Sequence, residues 1–364
     1  MRYRDPLKQI LAQTRRHWDR DQTRPSVRGA FRKALQCRTP ALGADVYASE
    51  NQERVVFHTC KSRACPSCGH RATIQWQRER WAALPDQPYK GITFTMPDIL
   101  WQLFHDNPSL APALSVLAAK TIETLACARY GLRIGVIAIL HTFNGRLEFN
   151  SHVHTMVTPG GLHGSGSWVA RIYYDRDRLM EIWRDAVINL LRAALRAGQL
   201  RSEMTVDEME TMLTDQEKRW WSIRIQSFES KVQFLRYAGR YVRRPPIAQR
   251  RITDIGQSVT FWTKDKKLGC RVDVQCSPEE FIDRWAQHLP ERYQHAVRCF
   301  GLYAPRTLRQ TSAAVFALLG QQQRPRPRPV PWADSIERAF GKNPLLDHRG
   351  HRMKWVRRLL PQTG

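Results

Sequence analysis

The middle of the chain switches between two hydrophobic periods, one typical of strands and one typical of helices. Residues 134–140 are an almost unbroken apolar run, which predicts a buried strand. Asn144 and Gly145 then give a hairpin turn signal, and the chain returns in a second strand that carries His152 and His154. Because side chains alternate along a strand, the two histidines are expected on the same face.

Helical periods surround this strand pair. A helix is predicted to open at Asn107, a long amphipathic helix follows residue 176 and stops at Gly198, and residues 231–244 form another that a proline pair ends. Residues 200–222 fit no class. This mixture predicts an α+β fold, with a central antiparallel sheet of roughly four or five strands and helices on its faces.

Charge adds a partner to this picture. The chain holds 58 Lys and Arg against 33 Asp and Glu, a formal net charge of +25, which predicts attraction to a polyanion such as DNA. With 42% apolar residues and 12 Trp the chain can build a real core, which excludes a disordered basic tail. No apolar run reaches the ~18 residues of a membrane span and the start lacks a secretion signal, so we expect a cytoplasmic, nucleoid-associated protein without a membrane partner.

Shifts in composition divide the chain into five predicted regions. Pro85 and Pro88 mark one boundary, and the alternation of Arg and Pro from residue 324 indicates a stiff cationic stretch. The regions are a basic helical N-terminus (1–36), a cysteine-bearing module (37–85), a central domain (86–247), a C-terminal α/β region (248–322) and a basic Pro/Arg-rich tail (323–364).

Two histidines and two tyrosines form the main candidate site. An isolated His-x-His pair is more often structural than metal-binding, and tyrosines at i and i+4 of a helix more often pack in a core. Here arginines interleave with the tyrosines, which suits phosphate recognition better than burial. Two imidazoles can hold a divalent ion and a phenol can attack phosphorus, so the set predicts a nuclease. The residues are His152 and His154 on the strand, Tyr237 and Tyr241 on the helix, and Arg236, Arg240, Arg243 and Arg244 around them.

Cysteine spacing predicts one zinc site. Cys60, Cys65 and Cys68 include a Cys-x2-Cys knuckle, and a structural zinc ion needs a fourth ligand. Cys37 can complete the site, with His58 or His70 as alternatives. The other cysteines are scattered and are expected to be buried apolar residues: Cys127, Cys270, Cys276 and Cys299.

Several of these motifs resemble one family. Residues 140–143 (LHTF), 150–154 (NSHVH) with the following Gly160 and Gly161, and 236–247 (RYAGRYVRRPPI) are similar to the two-tyrosine HUH rolling-circle transposases of the insertion-sequence-ninety-one family. The resemblance covers most of the chain. It implies an HUH-endonuclease fold of the kind found in replication initiators and relaxases, with residues 86–247 as the nuclease domain.

The N-terminal cysteines extend the resemblance, with two departures. Residues 37–43 and 62–68 resemble the zinc module of that family. The family normally adds a further Cys-x2-Cys where this chain has residues 47–50 (YASE), and a cysteine pair where it has residues 344–351. We therefore expect one zinc ion and a metal-free C-terminal end.

The resemblance also implies the chemistry. His152 and His154 would bind Mg²⁺ or Mn²⁺, while Tyr237 and Tyr241 would cut single-stranded DNA and rejoin it through 5′-phosphotyrosine intermediates. Such a reaction conserves energy in the ester, so no nucleotide cofactor is expected.

A third protein ligand for the divalent ion is also expected. His141 is the candidate, because it lies on the strand that should pair with the histidine strand. Glu148 and Gln233 are alternatives, since the register cannot be fixed from sequence.

The remaining expectations concern partners. The zinc module and basic N-terminus would hold a transposon-end hairpin, and the sheet and tyrosine helix would hold single-stranded DNA, with Trp220, Trp221 and Trp262 available for stacking. Since the chain lacks a P-loop motif, a host helicase or replication machinery is implied. Two other functions stay open: a plasmid or phage rolling-circle replication initiator, and a non-catalytic DNA-binding protein derived from a transposase.

Overall fold

The structure is a computed structural model, and it describes residues 5–62, 65–239, 242, 246–265, 269–291 and 294–362. The chain divides into two compact units, each built from separate stretches. We call them the cysteine unit (Met1–Arg78, Arg243–Glu291 and Pro327–Gly364) and the sheet unit (Glu79–Val242 and Arg292–Arg326).

Helices and strands follow each other along both units. The helices are α1 (Pro6–Gln13), α2 (Arg15–Trp18), α3 (Pro25–Gln36), α4 (Pro66–Ala83), α5 (Trp101–Asp106), α6 (Ala111–Tyr130), α7 (Arg176–Arg196), α8 (Val206–Glu217), α9 (Lys231–Ala238), α10 (Pro278–Ala286), α11 (Pro305–Leu318) and α12 (Trp332–Phe340). The strands are β1 (Ala44–Ala48), β2 (Glu53–Phe57), β3 (Tyr89–Phe94), β4 (Leu132–Arg133), β5 (Gly135–Phe143), β6 (Phe149–Val157), β7 (Gly161–His163), β8 (Trp168–Val169), β9 (Ile223–Phe228), β10 (Ile252–Ile255), β11 (Val259–Lys264), β12 (Arg271–Cys276), β13 (Val297–Gly301) and β14 (Lys354–Leu359).

A five-stranded sheet is the centre of the sheet unit. Its strand order is β13-β5-β6-β3-β9, and each neighbouring pair is antiparallel. Ile92, Val136 and Val153 lie fully buried on the face that packs against α6 and α7. Burying such a side chain contributes about 1.5–3 kcal/mol, so this layer fixes which face points inward. The predicted α+β fold with an antiparallel sheet and flanking helices is confirmed.

Helix α6 is the most apolar helix of this unit. It is long and apolar enough to cross a membrane by length and composition alone, but half of its most apolar window is buried inside the protein. Leu114, Ala118 and Ile122 are completely buried in the core beside the sheet. These contacts identify α6 as a core helix.

The unclassified segment 200–222 contains α8. Thr205 caps it: the Thr205 hydroxyl accepts a hydrogen bond from the backbone N–H of Glu208, and the Glu208 carboxylate accepts one from the backbone N–H of Thr205. Met209 and Leu213 are fully buried in the core. The Thr-x-x-Glu pattern is a typical signal for the start of a helix, so α8 is predictable from the sequence.

Helix α9 corresponds to the first half of the predicted helix 231–244. Ser230 caps it, its hydroxyl accepting a hydrogen bond from the backbone N–H of Gln233 at 3.3 Å. The predicted continuation includes residues 240–241 and 243–244, which lie outside the described residues. Its second half stays a prediction.

The Gly160-Gly161 motif has a structural explanation. Strands β4, β7 and β8 form a small sheet next to it. A Cβ atom on Gly160 would lie 1.7 Å from the Val169 carbonyl oxygen, and one on Gly161 would lie 2.5 Å from the Arg133 carbonyl oxygen. Only glycine permits this close approach of the backbones.

The cysteine unit contains two three-stranded sheets, β14-β1-β2 and β10-β11-β12. The first places part of the basic C-terminal stretch beside β1, with Asp45 opposite Arg358. A row of aromatic rings holds the helices together, because the Phe31 ring lies 5.4 Å from the Trp18 ring and 5.0 Å from the Trp285 ring.

Asp347, in the segment where relatives were expected to carry cysteines, has a structural role. Its side chain is fully buried, and it accepts hydrogen bonds from Ser49, Asn51 and the backbone N–H groups of Arg349 and His351. Burial alone would raise the pKa of this carboxyl, but these hydrogen bonds hold it well below its usual value. Asp347 thus ties its loop to the β1–β2 turn.

Two arginines of the Pro/Arg-rich stretch are paired within the sheet unit. Arg324 forms an ion pair with Asp86, and its guanidinium lies 4.4 Å from the centre of the Trp81 ring. Arg326 lies 3.6 Å from Glu79.

Lys231, in the first turn of α9, is a buried cation that fixes this helix. It is 2% exposed, and its ammonium donates to the carbonyl oxygens of Trp81 at 2.9 Å and Leu84 at 2.8 Å and to Asp86 at 2.8 Å. Burial lowers the pKa of Lys231, while Asp86 opposes that shift. The lysine therefore satisfies two carbonyl groups at the end of α4 and holds α9 to that end.

Replacing Lys231 with methionine is expected to lower the free energy of unfolding by about 2 kcal/mol, because two carbonyl groups lose their donor. Urea denaturation would measure the loss. Lys218→Met is the control, since the Lys218 side chain is 74% exposed and pairs only at the surface with Asp215. Equal losses for the two variants would contradict the anchoring role.

Candidate active site and metal centre

Three histidines meet on the face of the central sheet opposite its apolar core. The pairing of β5 with β6 sets His141 directly opposite His152, and His154 lies two residues further along β6. The ring centres are 4.9 to 5.3 Å apart, and the nitrogen atoms that could bind a metal all lie within 4.8 Å of one another. His141 and His154 are only 7% exposed.

Hydrogen bonds on Nδ1 orient two of these rings. His152 Nδ1 lies 2.8 Å from the Asn150 carbonyl oxygen, which can only accept, so Nδ1 carries the hydrogen and Nε2 keeps a lone pair. His154 Nδ1 lies 3.1 Å from the Thr93 hydroxyl and 3.2 Å from the Tyr237 hydroxyl. Both rings can therefore offer Nε2 to an ion.

Tyr237 brings a hydroxyl to the histidines. Helix α9 presents it beside β9, where its ring lies 5.1 Å from that of Phe228. Arg236, next to it on α9, is exposed. The second predicted nucleophile and three of the predicted DNA-binding arginines lie outside the described residues: Tyr241, Arg240, Arg243 and Arg244.

The alternative third ligands have other partners. The Glu148 carboxylate accepts a hydrogen bond from the Asn144 side chain at 2.7 Å, in the turn between β5 and β6. The Gln233 side-chain oxygen accepts one from the backbone N–H of Glu229 at 3.1 Å. Of the three candidates weighed from sequence, His141 is the one beside His152 and His154.

Two residues on this face escaped the sequence analysis. Thr93 of β3 is paired with His154, and Arg224 of β9 is paired with Thr93, so one row crosses three strands. Arg224 is exposed. Only the strand order brings these residues together, since no local motif marks either of them.

The three histidines have a spacing that suits a divalent ion of a first-row transition metal. Three imidazole nitrogens this close could together hold one divalent ion. Nitrogen ligands suit Mn²⁺ better than Mg²⁺, which prefers oxygen.

Four cysteines form a second cluster, in the cysteine unit. The Cys37 sulfur lies 3.7 Å from the sulfurs of both Cys65 and Cys68, and the Cys60 and Cys68 sulfurs are 3.6 Å apart. A tetrahedral zinc ion with Zn–S bonds of about 2.3 Å places its sulfurs about 3.8 Å apart. The four thiols therefore have the spacing of a structural zinc site.

The cysteines outside this cluster differ in burial. Cys276 is buried and Cys299 is partly buried. The expectation of burial is wrong for Cys127 and Cys270, which are exposed.

Hydrogen bonds within the cluster shift the pKa values of its thiols in opposite directions. Contacts with Cys60 and then Cys65 lower the pKa of Cys37 to about 7, whereas the contacts with its three neighbours raise the pKa of Cys60.

The alternative ligand His58 has other partners. One of its ring nitrogens lies 3.0 Å from the Leu42 carbonyl oxygen, and the other lies 3.0 Å from Asp45.

Three tryptophans were expected to be available for stacking with bases, and they differ. Trp220 is 57% exposed, whereas Trp221 is 1% exposed and belongs to the core, so the expectation is wrong for Trp221. Trp262 is partly buried, with the guanidinium groups of Arg251 and Arg271 over its ring.

Comparison with known families gives two matches. Residues 7–96, which include all four clustered cysteines, match the family described as "Transposase zinc-binding domain". Residues 135–311, which include the three histidines and Tyr237, match the family described as "Putative transposase". Together with the four-cysteine geometry, the first match supports Zn²⁺ as the ion of the cysteine unit.

Two relatives align over most of the chain. A transposase for insertion sequence element IS801 from Pseudomonas savastanoi pv. phaseolicola is 31% identical over 325 residues, which is 85% of this chain and 77% of the relative. A putative transposase, y4qJ, from Sinorhizobium fredii is 32% identical over 303 residues, 78% of this chain and 76% of the relative. No solved structure matches the chain significantly. The chain therefore belongs to the insertion-sequence-ninety-one family of transposases, with its zinc-binding domain at the N-terminal end.

Proposed function

We propose that this transposase is a metal-dependent single-strand DNA endonuclease and strand transferase that works through 5′-phosphotyrosine intermediates. One observation carries the proposal: the Tyr237 hydroxyl lies 3.2 Å from a nitrogen of His154, within the cluster of three histidines. A potential nucleophile and a potential metal site thus share one face of the sheet. DNA is the substrate that a transposase implies.

His141, His152 and His154 would hold Mg²⁺ or Mn²⁺, with Mn²⁺ favoured by the nitrogen ligands. When bound, such an ion supplies Lewis-acid polarisation of the scissile phosphate. The protein's own contribution is orientation: β5 and β6 fix the rings, and the hydrogen bond from His152 Nδ1 to the Asn150 carbonyl oxygen makes Nε2 the nitrogen that would bind the ion.

Tyr237 would be the first nucleophile. A phenol is a weak nucleophile unless nearby positive charge favours its phenolate form. The phenol gives up its proton to solvent, its oxygen forms a bond to phosphorus, the bond from phosphorus to the 3′ oxygen breaks, and that oxygen leaves as a 3′-hydroxyl after taking a proton from solvent. The ester keeps the energy of the broken bond, so a 3′-hydroxyl can later reverse the reaction without a nucleotide.

Tyr241 would be the second nucleophile. A residue four positions further along a helix lies about one turn away on the same side. It could attack a second phosphodiester while Tyr237 holds the first strand, so strand transfer needs no release of the covalent intermediate.

Exposed cations near the site would bind the single strand. Arg224 is exposed on β9, opposite Thr93, and Arg236 is exposed on α9, directly before Tyr237. Arg240, Arg243 and Arg244 continue the same basic run in the sequence. Their guanidinium groups suit phosphate contacts that place the DNA without reading its bases.

The cysteine unit would bind the transposon-end hairpin. Every residue of β14 is exposed, including Lys354, Trp355 and Arg357. Residues 348–362 contain five Lys or Arg and no acidic residue. Such a strand suits the phosphate backbone of a duplex, with Trp355 available to stack at a hairpin loop.

A host helicase or replication machinery would supply the single strand, and the site of action would be the nucleoid. A plasmid or phage replication initiator would share the chemistry of the histidines and tyrosines. The zinc-binding domain and the two transposase relatives favour transposition instead.

Replacing His152 or His154 with alanine is expected to reduce cleavage of labelled single-stranded DNA by about 100-fold or more, because phosphate polarisation is lost. DNA affinity should change little, since it comes from arginines and lysines. His163→Ala, at an exposed histidine of the same unit, is the control. Full activity of the double variant, or of the wild type in excess EDTA, would rule out the metal role.

The variant with Phe at both Tyr237 and Tyr241 is expected to fold, bind DNA and form no covalent adduct, because only two hydroxyls are lost. Each single variant should retain some cleavage and lose complete transposition. Denaturing gels of protein with labelled DNA would detect the adduct, and Tyr173→Phe at a 65% exposed tyrosine is the control. An adduct in the double variant would place the nucleophile elsewhere.

Purified protein is expected to contain about one zinc ion per chain, held by four thiolates. Cys65→Ser should lose most of the zinc and lower the melting temperature of the cysteine unit, because zinc binding contributes to folding. Cys270→Ser, at an exposed cysteine outside the cluster, should keep the zinc. Elemental analysis of the purified protein would measure the zinc content. Active protein without zinc would contradict the assignment of the four cysteines as zinc ligands.

A further inference from the structure

Thr93 contacts one of the three histidines of the candidate site, and no sequence motif marks this threonine. Its hydroxyl lies 3.1 Å from Nδ1 of His154. Thr93 is in β3 and is paired directly with His154 in the ladder between β3 and β6. The register of β3 against β6 therefore sets this contact, and a position within a sheet is held more rigidly than one on a loop.

His152 shows what such a contact does. A histidine that binds an ion through one nitrogen is oriented by the partner of its other nitrogen. For His152 this partner is the Asn150 carbonyl oxygen, 2.8 Å from Nδ1. For His154 the corresponding nitrogen faces two hydroxyl groups, those of Thr93 and Tyr237.

The two hydroxyls compete for one position. In a neutral imidazole bound to an ion through Nε2, Nδ1 carries a single hydrogen. That hydrogen can go to the Thr93 oxygen at 3.1 Å or to the Tyr237 oxygen at 3.2 Å. Either partner would fix the same ring orientation.

The competition matters because Tyr237 has a second task in the proposed function. Once its oxygen is bonded to phosphorus, it follows the phosphate and no longer holds the ring in the same way. Thr93 takes no part in bond formation and stays in its strand.

We infer that Thr93 is a positioning residue: its hydroxyl accepts the hydrogen of His154 Nδ1 and keeps Nε2 directed at the metal position while Tyr237 is engaged with DNA. This inference rests on the proposed function, because it assumes that His154 is a metal ligand. It adds a residue and a division of labour: Thr93 orients the ligand, and Tyr237 reacts.

Metal affinity tests the inference without relying on cleavage. Titration of zinc-loaded full-length protein with Mn²⁺, followed by calorimetry or by the signal of free Mn²⁺ in electron paramagnetic resonance, gives the dissociation constant. Thr93→Val removes the hydroxyl and keeps the shape and strand preference. Because Tyr237 can still orient the ring, we expect about a tenfold or smaller loss of affinity in this single variant.

The loss should grow when Tyr237 cannot substitute. In the Tyr237→Phe background, Thr93→Val is expected to weaken Mn²⁺ binding by between about 10-fold and 100-fold. Tyr237→Phe alone should change it little, and Thr93→Ser should restore it. This non-additive pattern is the signature of two groups sharing one role.

Thr155→Val is the matched control. Thr155 precedes Met156 on β6, points away from the histidines, and donates its hydroxyl hydrogen to the Ile92 carbonyl oxygen at 2.9 Å. Its loss should leave Mn²⁺ affinity unchanged, even if the protein becomes less stable.

The possible failures are distinguishable. Wild-type Mn²⁺ affinity for Thr93→Val in the Tyr237→Phe background, with affinity lost in His154→Ala, would overturn the role of Thr93 and leave the metal site standing. Wild-type affinity in His154→Ala would overturn the proposed metal site itself.

Discussion

The antiparallel pairing of β5 with β6 is the constraint on which the rest of the sheet unit depends. It sets His141 opposite His152 and leaves His154 on the same face. A slip by one residue would turn both histidines of β6 toward the core, because side chains alternate along a strand. The buried Val153 between them opposes this slip, since it would have to leave the apolar core. Hydrophobic burial on one face thus holds the polar site on the other.

The two clusters of candidate metal ligands are assembled in different ways. The histidines are gathered by neighbouring strands, with β3 and β9 extending the row to Thr93 and Arg224. The cysteines are gathered by a hairpin: Cys37 precedes β1, Cys60 follows β2, and the other two lie at the start of α4. The sheet remains ordered by its own core, whereas the small hairpin gains stability from the ion that it holds.

The sequence predicted the type of fold and most of the candidate site because those features are local. Spacing along one strand placed His152 with His154. The apolar run before His141 identified β5 as the partner of the histidine strand. The register of β5 against β6 was harder to predict. A two-residue turn at Asn144 and Gly145 would have put His141 opposite Glu148, but the turn in the structure is longer, with the Asn144 side chain accepting hydrogen bonds from the backbone of Arg146 and Glu148.

Features that depend on distant pairing could not be predicted. Thr93 and Arg224 reach the site only through the strand order β6-β3-β9, and a threonine or arginine in a strand carries no signal of its own. Lys231 reads as one more basic residue before the tyrosines, yet it is the buried end of α9. The capping signal of α8, by contrast, is local and lies entirely within residues 205–208.

The position of Tyr237 in the chain has a consequence for the order of folding. The histidines lie within one hairpin, residues 141–154, whereas Tyr237 contacts His154 across 83 residues of sequence. Local pairings form faster than distant ones, because less chain entropy is lost in closing a short loop. During synthesis the hairpin also leaves the ribosome first. A nascent chain, or one truncated before α9, would therefore hold the three histidines without Tyr237, so that the candidate site is assembled only when the sheet unit is complete.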